Sequence, residues 1–372
     1  MVNFRQNLSP NIPRFIDKCL EGNEKVLFVI ARGFGDAIIA DSMIHLIGER
    51  FQGLELHVLM KPQFSAIFSG NPHIKKVHFS PFPIGMKRAT DFRLKEFACL
   101  IRTLKLLRKE KFDLSIETMG DLREALIARF VNPSRSLSVI WHPSHPMYYD
   151  VRGKFIARFL ATDSVKFTPN IRNIYDAKDY FLQSLGCEIG LFSKERSKPI
   201  YYSDEDNSRK ISKIIGIHPF AFHKSRMLPF NCWRLLIDKL LCDGFEVWIF
   251  CSEIERSVAE RYFNKTVGDG TISIKAGDLP SFLTDLRKVG LLIGLDSFSV
   301  HAAHATAKPS IAICRGERYK FWLPSSCRPV VVDNNSEMNK KGDDIFVERV
   351  VSKVYKEVRD MLGILQCSSG AK

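Results

Sequence analysis

Residues 293–309 read IGLDSFSVHAAHATAKP, and this stretch decides the fold class of the chain. The apolar run 291–294 predicts a strand that ends at Asp296-Ser297, and the small residues of 300–307 predict a helix. Another apolar run follows the helix, so the stretch is half of a βαβ unit. In open α/β sheets, ligands lie at the carboxyl ends of strands, where helix N-termini offer free N–H groups to anions. We therefore expect an anion site at Asp296, unless Asp296 and Ser297 only cap the helix.

Size and charge set broad limits on the function. A chain of 372 residues is long enough for two domains, and its formal charge of +14 indicates an anionic partner: nucleic acid, a membrane surface or a phosphorylated substrate. The nine cysteines form no C-x-x-C pair, which argues against a disulfide framework and a zinc ribbon. No apolar run has the length of a membrane span, and the N-terminal residues lack a secretory signal pattern. We expect a cytoplasmic protein.

The first sixty residues predict a strand, a glycine-rich turn, a helix and a second strand. The apolar run 25–31 leads into the turn, which contains Gly33, Gly35 and Asp36. This G-F-G-D turn lacks the G-x-G-x-x-G fingerprint of dinucleotide-binding proteins. Its glycines would let a ligand approach the backbone closely. Asp36 is then either a capping residue at the helix start or a carboxylate that faces the ligand.

Residues 86–112 predict a markedly basic helix. Its apolar residues at helical spacing are Leu94, Phe97, Ile101, Leu104 and Leu107. The cations around them are Arg93, Arg102, Lys105, Arg108, Lys109 and Lys111. The pattern is typical of an amphipathic helix that covers a sheet, and equally of a docking surface for phosphate-bearing lipid.

The second half of the chain repeats the logic of the first. The polar segment 194–210 predicts an interdomain linker, and strands and helices alternate again after it. Such alternation indicates parallel sheets. Two Rossmann-like domains joined by a linker would enclose a cleft, which is a preferred place for a ligand site.

Four stretches together resemble glycosyltransferase family 9, the ADP-heptose:lipopolysaccharide heptosyltransferases. They are the G-F-G-D turn with the later GNPH of 70–73, GIHP at 216–219, RMLP at 226–229 followed by Trp233, and DSFSVH at 296–301. The chain departs from the family pattern in three places. Arg226 stands for the usual lysine, Phe298 for the usual glycine, and CRGE at 314–317 for the usual F-G-x-T segment.

The resemblance implies a GT-B fold, in which two Rossmann-like domains with parallel sheets face a central cleft. The acceptor-binding domain would span 1–195, the nucleotide-sugar-binding domain 196–340, and a C-terminal helix and tail 341–372. The reaction would be an inverting transfer that needs no metal and no cofactor. Asp36 is the candidate base, and Arg226, with Lys224 beside it, would neutralise the departing diphosphate.

The remaining site residues follow from the same resemblance and from their places at strand ends. The donor-binding candidates are Gly35, His218, Glu253, Glu255, Asp296, Ser297, Phe298, Ser299 and His301. Glu253 and Glu255 would accept hydrogen bonds from the ribose, or would only stabilise a helix start. The acceptor or membrane candidates are Arg93, Arg102, Lys105 and Arg108.

The implied reaction moves a heptose from ADP-heptose to a hydroxyl of an anionic glycolipid, the lipopolysaccharide inner core. The partners would be a nucleotide sugar and this glycolipid, with no nucleic acid, and the enzyme would work in the cytoplasm, at the inner face of the membrane. Three alternatives stay open: heptosyl transfer to protein hydroxyls, a nucleotide-sugar epimerase, and a non-catalytic nucleotide-binding protein of the same architecture. A nicotinamide-dependent oxidoreductase is disfavoured by the missing fingerprint.

Overall fold

The computed structural model describes residues 22–82, 94–145, 159–187, 212–222, 224–263, 271–315, 319–332 and 344–363. The chain divides into two compact units, Met1–Tyr201 and Tyr202–Lys372. The predicted linker of 194–210 lies outside the described residues. Within the described part of the chain, no helix is both long and apolar enough to cross a membrane.

The first unit is built on a six-stranded parallel sheet. Its strands are β1 (Lys25–Ile30), β2 (Glu55–Met60), β3 (Ile74–Phe79), β4 (Leu114–Ile116), β5 (Arg135–Ile140) and β6 (Asp163–Lys166). They lie in the order β3-β2-β1-β4-β5-β6, and every pairing is parallel. This is the Rossmann order, in which the direction of winding reverses between β1 and β4. Ligands bind outside the carboxyl ends of the strands at such a switch point.

Within the described residues, five helices accompany this sheet. They are α1 (Phe34–Arg50), α2 (Ser65–Phe68), α3 (Leu94–Lys109), α4 (Leu122–Phe130) and α5 (Ile174–Ser184). The central strand β1 has five consecutive buried residues, as a parallel strand covered on both faces requires. Helix α1 is buried along most of its length, and α5 packs against it.

Helix α3 differs from the prediction in which residues it buries. Its core side consists of Leu100, Leu104 and Leu107. Of the five apolar residues grouped by spacing, only Leu104 and Leu107 belong to this side, whereas Leu94, Phe97 and Ile101 are exposed. The helix is amphipathic, as predicted, but three of the five residues grouped by spacing do not lie on its buried side. Helical spacing places two apolar stripes on α3, and the sheet can cover only one of them.

The second unit repeats the same topology. Its strands are β7 (Ile214–His218), β8 (Glu246–Cys251), β9 (Ile272–Ala276), β10 (Leu291–Leu295), β11 (Ser310–Arg315) and β12 (Cys327–Val332). They lie in the parallel order β12-β11-β10-β7-β8-β9. The switch point is between β7 and β10, so His218 ends one of its two strands and Asp296 directly follows the other.

The helices of the second unit are α6 (Phe230–Cys242), α7 (Arg256–Phe263), α8 (Leu279–Leu286), α9 (Phe298–Ala305), α10 (Tyr319–Trp322) and α11 (Asp344–Leu362). A 3-10 turn, Lys224–Arg226, precedes α6. Gly244, at φ +78°, follows the end of α6 in the left-handed conformation that glycine adopts readily. Helix α11 packs on α6, and Val350 and Val354 join the main core of this unit.

The predicted α/β class with two Rossmann-like parallel sheets is confirmed. Three strands were not predicted: β5, β6 and β12. Strand β5 carries the buried serines Ser136 and Ser138 in place of a continuous apolar run. Strands β6 and β12 are edge strands, and β12 contains Pro329, which such a position tolerates.

Candidate active site

Asp36 lies in the first turn of α1, at the carboxyl end of β1. Its Oδ2 accepts a hydrogen bond from the Gly33 N–H at 3.1 Å, and Gly33 holds the N-cap position in extended backbone. A Cβ on Gly33 would lie 3.3 Å from this oxygen, so glycine leaves room for the carboxylate to fold back. Asp36 is therefore the third residue of the helix and not its N-cap, and it sits at the sheet edge where a ligand is expected.

Arg32 holds the Asp36 carboxylate from the turn. Its Nε lies 3.6 Å from Asp36 Oδ2, and its Nη1 lies 3.8 Å from Asp121 Oδ2. Burial opposes the charge of Arg32, but the carboxylates of Asp36, Glu124, Asp121 and Glu117 outweigh it, and the pKa of Arg32 is raised. Arg32 is thus a permanent cation that fixes the position of the candidate base.

Asp121 is the second carboxylate beside Arg32 and caps α4. Its Oδ1 accepts from the Arg123 N–H at 2.9 Å, and the Arg123 guanidinium binds both carboxylate oxygens at 2.9 and 2.7 Å. Burial pushes the pKa of Asp121 upwards, but the bonds from Arg123 prevail and hold it below its ordinary value. Asp121 is therefore an ionised cap that shares Arg32 with Asp36.

Two further carboxyl groups, Glu117 and Glu124, lie behind this cluster and are fully buried. Glu117 accepts from two backbone N–H groups at 2.5 and 3.1 Å and from the Ser138 hydroxyl at 2.8 Å. Glu124 accepts from the Ala31 N–H at 2.6 Å, just beyond β1. Burial raises the pKa of both groups. They tie the ends of β1, β4 and β5 to α4 and so support the turn that carries Arg32.

In the second unit, the strand β10 ends where Asp296 and Ser297 lead into α9. Ser297 holds the N-cap position, but its side chain makes no capping hydrogen bond, and its Oγ lies 3.0 Å from Ser299 Oγ instead. A Cβ at Gly294 would lie 3.0 Å from Ser299 Oγ, so glycine at this strand position leaves room for the two serine hydroxyls. Ser297 therefore occupies the N-cap position that the capping interpretation gave it, but its side chain does not cap the helix, and the anion site at Asp296 stays a prediction. The first N–H groups of α9 are left without that side chain, as an anion site requires.

The 3-10 turn Lys224–Arg226 brings cations to this helix start. Arg226 Nη1 donates to the Asp296 carbonyl at 2.7 Å and lies 3.9 Å from its Oδ2. Burial raises the pKa of Asp296, and the charge of Arg226 opposes this rise. From the end of β11, Arg315 Nη1 donates to the Ser225 carbonyl at 2.9 Å. Both arginines thus fasten the turn to strand ends, and Lys224 lies exposed on it.

His218, at the end of β7, lies in an aromatic cluster with Phe298. Its ring meets those of Phe298 and Phe282 edge to face, with centroids 5.4 and 5.9 Å away, and Phe298 meets Phe282 at 5.4 Å. Burial lowers the pKa of His218 to about 4, and it does the same for His301 in α9. Both imidazoles are therefore neutral near pH 7 and add no positive charge to the anion site.

Glu253 and Glu255 both lie at the start of α7, after β8. Glu253 is bound by the Arg256 guanidinium through two hydrogen bonds of 2.8 and 2.9 Å. Glu255 Oε2 accepts from the N–H and the hydroxyl of Ser252 at 2.9 and 2.7 Å. Each carboxylate already stabilises the helix start, and ribose binding by either stays a prediction.

Three of the predicted acceptor cations lie on α3, whose last turn leads into the amino end of β4 and not into its carboxyl end at the switch point. Arg102, Lys105 and Arg108 are all exposed. Arg108 Nε donates to the Phe130 carbonyl at the end of α4, at 2.5 Å. Arg93 lies outside the described residues. Gly35, the remaining candidate, lies half-buried in the first turn of α1.

The model of glycosyltransferase family 9 (heptosyltransferase) matches residues 100–345, which is more than half of the chain. The chain belongs to glycosyltransferase family 9. The family 9 protein is therefore a glycosyltransferase, and its two parallel six-stranded sheets are those of the GT-B fold.

Relatives of the family 9 enzyme are distant in sequence. Lipopolysaccharide heptosyltransferase 3 of Escherichia coli is 21% identical over 303 residues, which cover 79% of this chain and 84% of the relative. The structure of E. coli heptosyltransferase WaaC with ADP-2-deoxy-2-fluoro heptose matches with a TM-score of 0.69 and 14% identity, over 90% of this chain and 99% of the other. A family 9 glycosyl transferase from Veillonella parvula matches with a TM-score of 0.64 and 14% identity, over 91% and 97%.

The structure of the family 9 enzyme adds site residues that the sequence analysis missed. Arg32 lies beside Asp36, the charges of Glu117 and Glu124 act on Arg32, and Arg315 holds the cationic turn. Glu117 could have been found, because it directly follows β4 just as Asp296 follows β10. Glu124 lies within a helix, where no sequence pattern distinguishes it, and Arg315 lies in the CRGE segment, which the sequence analysis noted only as a departure from the family pattern.

Proposed function

We propose that this enzyme transfers a heptose from ADP-heptose, with inversion at the anomeric carbon, to a hydroxyl of an anionic acceptor, the lipopolysaccharide inner core. The observation that carries the proposal is the helix start of α9, which Ser297 leaves uncapped and Arg226 borders. Backbone N–H groups beside a guanidinium are the donors that suit a diphosphate. The names of the family and of the E. coli relative supply heptose and lipopolysaccharide as the first substrates to test.

In the proposed reaction, the acceptor oxygen forms a bond to the anomeric carbon while the bond from that carbon to the diphosphate breaks. ADP leaves with the bonding electron pair, and negative charge grows on its β-phosphate. Arg226, with Lys224 beside it, stabilises this charge, and the N–H groups around Ser297, Phe298 and Ser299 hold the phosphate. These preformed donors take the place that a metal ion has in other transferases, so the reaction needs no metal and no cofactor.

Asp36 takes the proton of the acceptor hydroxyl in this scheme. Its Oδ2 receives both the Gly33 N–H and the Arg32 guanidinium, which fix the carboxylate in one orientation. Oδ1 then accepts the proton, since neither of these two contacts uses it. General-base assistance of this kind contributes about 10²–10⁴ to the rate.

The proposed partners are ADP-heptose and an anionic glycolipid, with no nucleic acid, and the proposed location is the cytoplasm. ADP-heptose should be incubated with the enzyme, with and without a truncated lipopolysaccharide acceptor and with and without EDTA. Acceptor-dependent ADP release that EDTA leaves unchanged supports the proposal, and the anomeric configuration of the product, read by NMR, tests inversion.

The same assay separates the alternatives. Transfer to a protein hydroxyl and not to the glycolipid would change the acceptor class, and a new nucleotide sugar formed without acceptor would indicate an epimerase. Tight nucleotide binding without turnover would indicate a binding protein whose site is closed by Phe298.

A further inference from the structure

The exposed side of α3 carries a second apolar stripe, apart from the one that packs on the sheet. Leu94, Phe97 and Ile101 are 76%, 41% and 37% exposed, although Leu100 and Leu104 beside them are buried. Positions three and four apart lie on one face of a helix, so the three exposed residues form a continuous line. Large apolar residues that line up at the surface and are rimmed by charge mark an interaction site.

Cations continue this line towards the end of the helix. Lys105 follows Ile101 by four positions and Arg108 follows it by seven, so both lie on the same face. Arg108 is bonded to the carbonyl of Phe130, whose ring is 53% exposed, and this bond brings a fourth apolar group to the end of the line. The docking stripe is defined by these six residues: Leu94, Phe97, Ile101, Lys105, Arg108 and Phe130.

The charge of α3 favours one kind of occupant. The helix has five cations and a single carboxylate, Glu96. Glu96 lies outside the stripe, about 100° around the helix from Phe97. At the end of α3, Glu110 is bound by Lys25 and Lys76 at 2.6 and 2.7 Å, so its charge is compensated. Among the residues that the structure describes, the cations of α3 form no ion pair, and an apolar line beside such cations is complementary to a surface that is apolar inside and anionic outside.

We propose that the docking stripe binds the surface of an anionic lipid bilayer, with α3 lying in the plane of the interface. Leu94, Phe97 and Ile101 enter the boundary between headgroups and acyl chains, as the apolar faces of interfacial helices do. Lys105 and Arg108 contact the lipid phosphates, and each cation strengthens binding about fivefold. This inference goes beyond the transfer reaction, because binding to the bilayer needs neither donor nor acceptor.

The test is sedimentation of the full-length protein with vesicles of phosphatidylcholine alone or mixed equally with phosphatidylglycerol, without any sugar nucleotide. The wild type should bind the anionic vesicles, and about 0.5 M salt should weaken the binding. The double variant Leu94→Ser/Ile101→Ser should bind at least tenfold more weakly. Leu106→Ser is the matched control, since Leu106 is exposed on the same helix but lies about 140° around it from Ile101. It should bind like the wild type.

A second variant tests insertion independently of affinity. The fluorescence of Phe97→Trp should shift to the blue with anionic vesicles, whereas that of Leu106→Trp should not. Equal binding by the double variant and the wild type would overturn the proposal, as would a failure of the wild type to bind anionic vesicles. A dimer that forms without lipid and is lost in the double variant would assign the stripe to a second copy of the chain. Circular dichroism of each variant checks that its fold is intact.

Discussion

The replacement of Asp36 by asparagine tests the proposed mechanism most directly, because it removes the charge and keeps the shape. The amide oxygen of asparagine can still accept the Gly33 N–H at the present distance of 3.1 Å, so the start of α1 should survive. The variant loses the ion pair with Arg32, whose two groups lie 3.6 Å apart, but this loss lowers the stability only slightly because Arg32 still faces Asp121. We expect the free energy of unfolding to fall by no more than about 1 kcal/mol.

The effect of Asp36→Asn on turnover should be far larger. The loss of a general base lowers the rate about 10²–10⁴-fold, which corresponds to about 3–5 kcal/mol in the activation barrier. Donor affinity should stay within a few fold, since the proposed diphosphate contacts lie in the second unit. Release of ADP with acceptor gives kcat, and calorimetric titration with ADP gives the affinity.

Asp278→Asn is the matched control for this experiment. Asp278 also serves a helix start, where its carboxylate accepts from the Ser281 N–H at 3.0 Å, but it lies outside the candidate site. Its amide variant should show the same small loss of stability and full activity. Wild-type kcat in Asp36→Asn would refute the assignment of Asp36 as the base. An equal loss of activity in Asp278→Asn would show that activity depends on an intact helix start, and not on Asp36 as a base.

Three further predictions concern charged groups: two arginines that fasten the 3-10 turn, and Asp41, which is buried within α1 and accepts a hydrogen bond from the Asn71 amide at 2.8 Å. Arg226→Gln should lower kcat about 10²–10³-fold in steady-state kinetics with little change in melting temperature, and a change under threefold would contradict its role. Arg315→Gln should lower kcat about tenfold, because the Ser225 carbonyl loses the hydrogen bond that holds the 3-10 turn. Arg315→Lys should retain part of the lost activity. Equal kinetics for the two variants would exclude a role of Arg315 in positioning the turn. Burial raises the pKa of Asp41 to about 7, above an unfolded value of about 3.9, so this group makes stability fall as the pH rises from 4 to 7. Asp41→Asn should therefore raise the free energy of unfolding in urea by up to about 4 kcal/mol at pH 8 and by little at pH 4. The same increase at both pH values would contradict the raised pKa of Asp41.

The fold could be predicted where apolar runs were continuous. The strand Leu291–Leu295 and the helix that follows it matched the sequence pattern closely, because a strand buried on both faces must be apolar throughout. Strand β5 escaped because Ser136 and Ser138 satisfy their hydroxyls inside the protein, at the Leu160 carbonyl and at Glu117. A pattern of apolar residues cannot reveal a polar group whose partner is distant in sequence.

The sequence predicted where two candidate site residues lie in the fold but not which groups support them, and their roles stay predictions. Asp36 and Asp296 could be named because each stands where a strand hands over to a helix. The residues that support them could not be named from the sequence. Arg32 interacts with carboxylates about ninety positions away, and Arg315 is held by the Ser225 carbonyl, which is also distant in sequence. Periodicity likewise showed that Leu94 and Ile101 recur at helical spacing, but not that the sheet would leave them uncovered.

The fastening of the 3-10 turn has a consequence for how such enzymes diverge. Arg226 and Arg315 each grip a main-chain oxygen, of Asp296 and of Ser225, and every amino acid supplies that oxygen whatever its side chain. The residues around the 3-10 turn can therefore be substituted while the two guanidinium groups keep their hydrogen bonds and their positions. Remote homologues would then keep the same backbone path at this turn after their sequences around it have diverged.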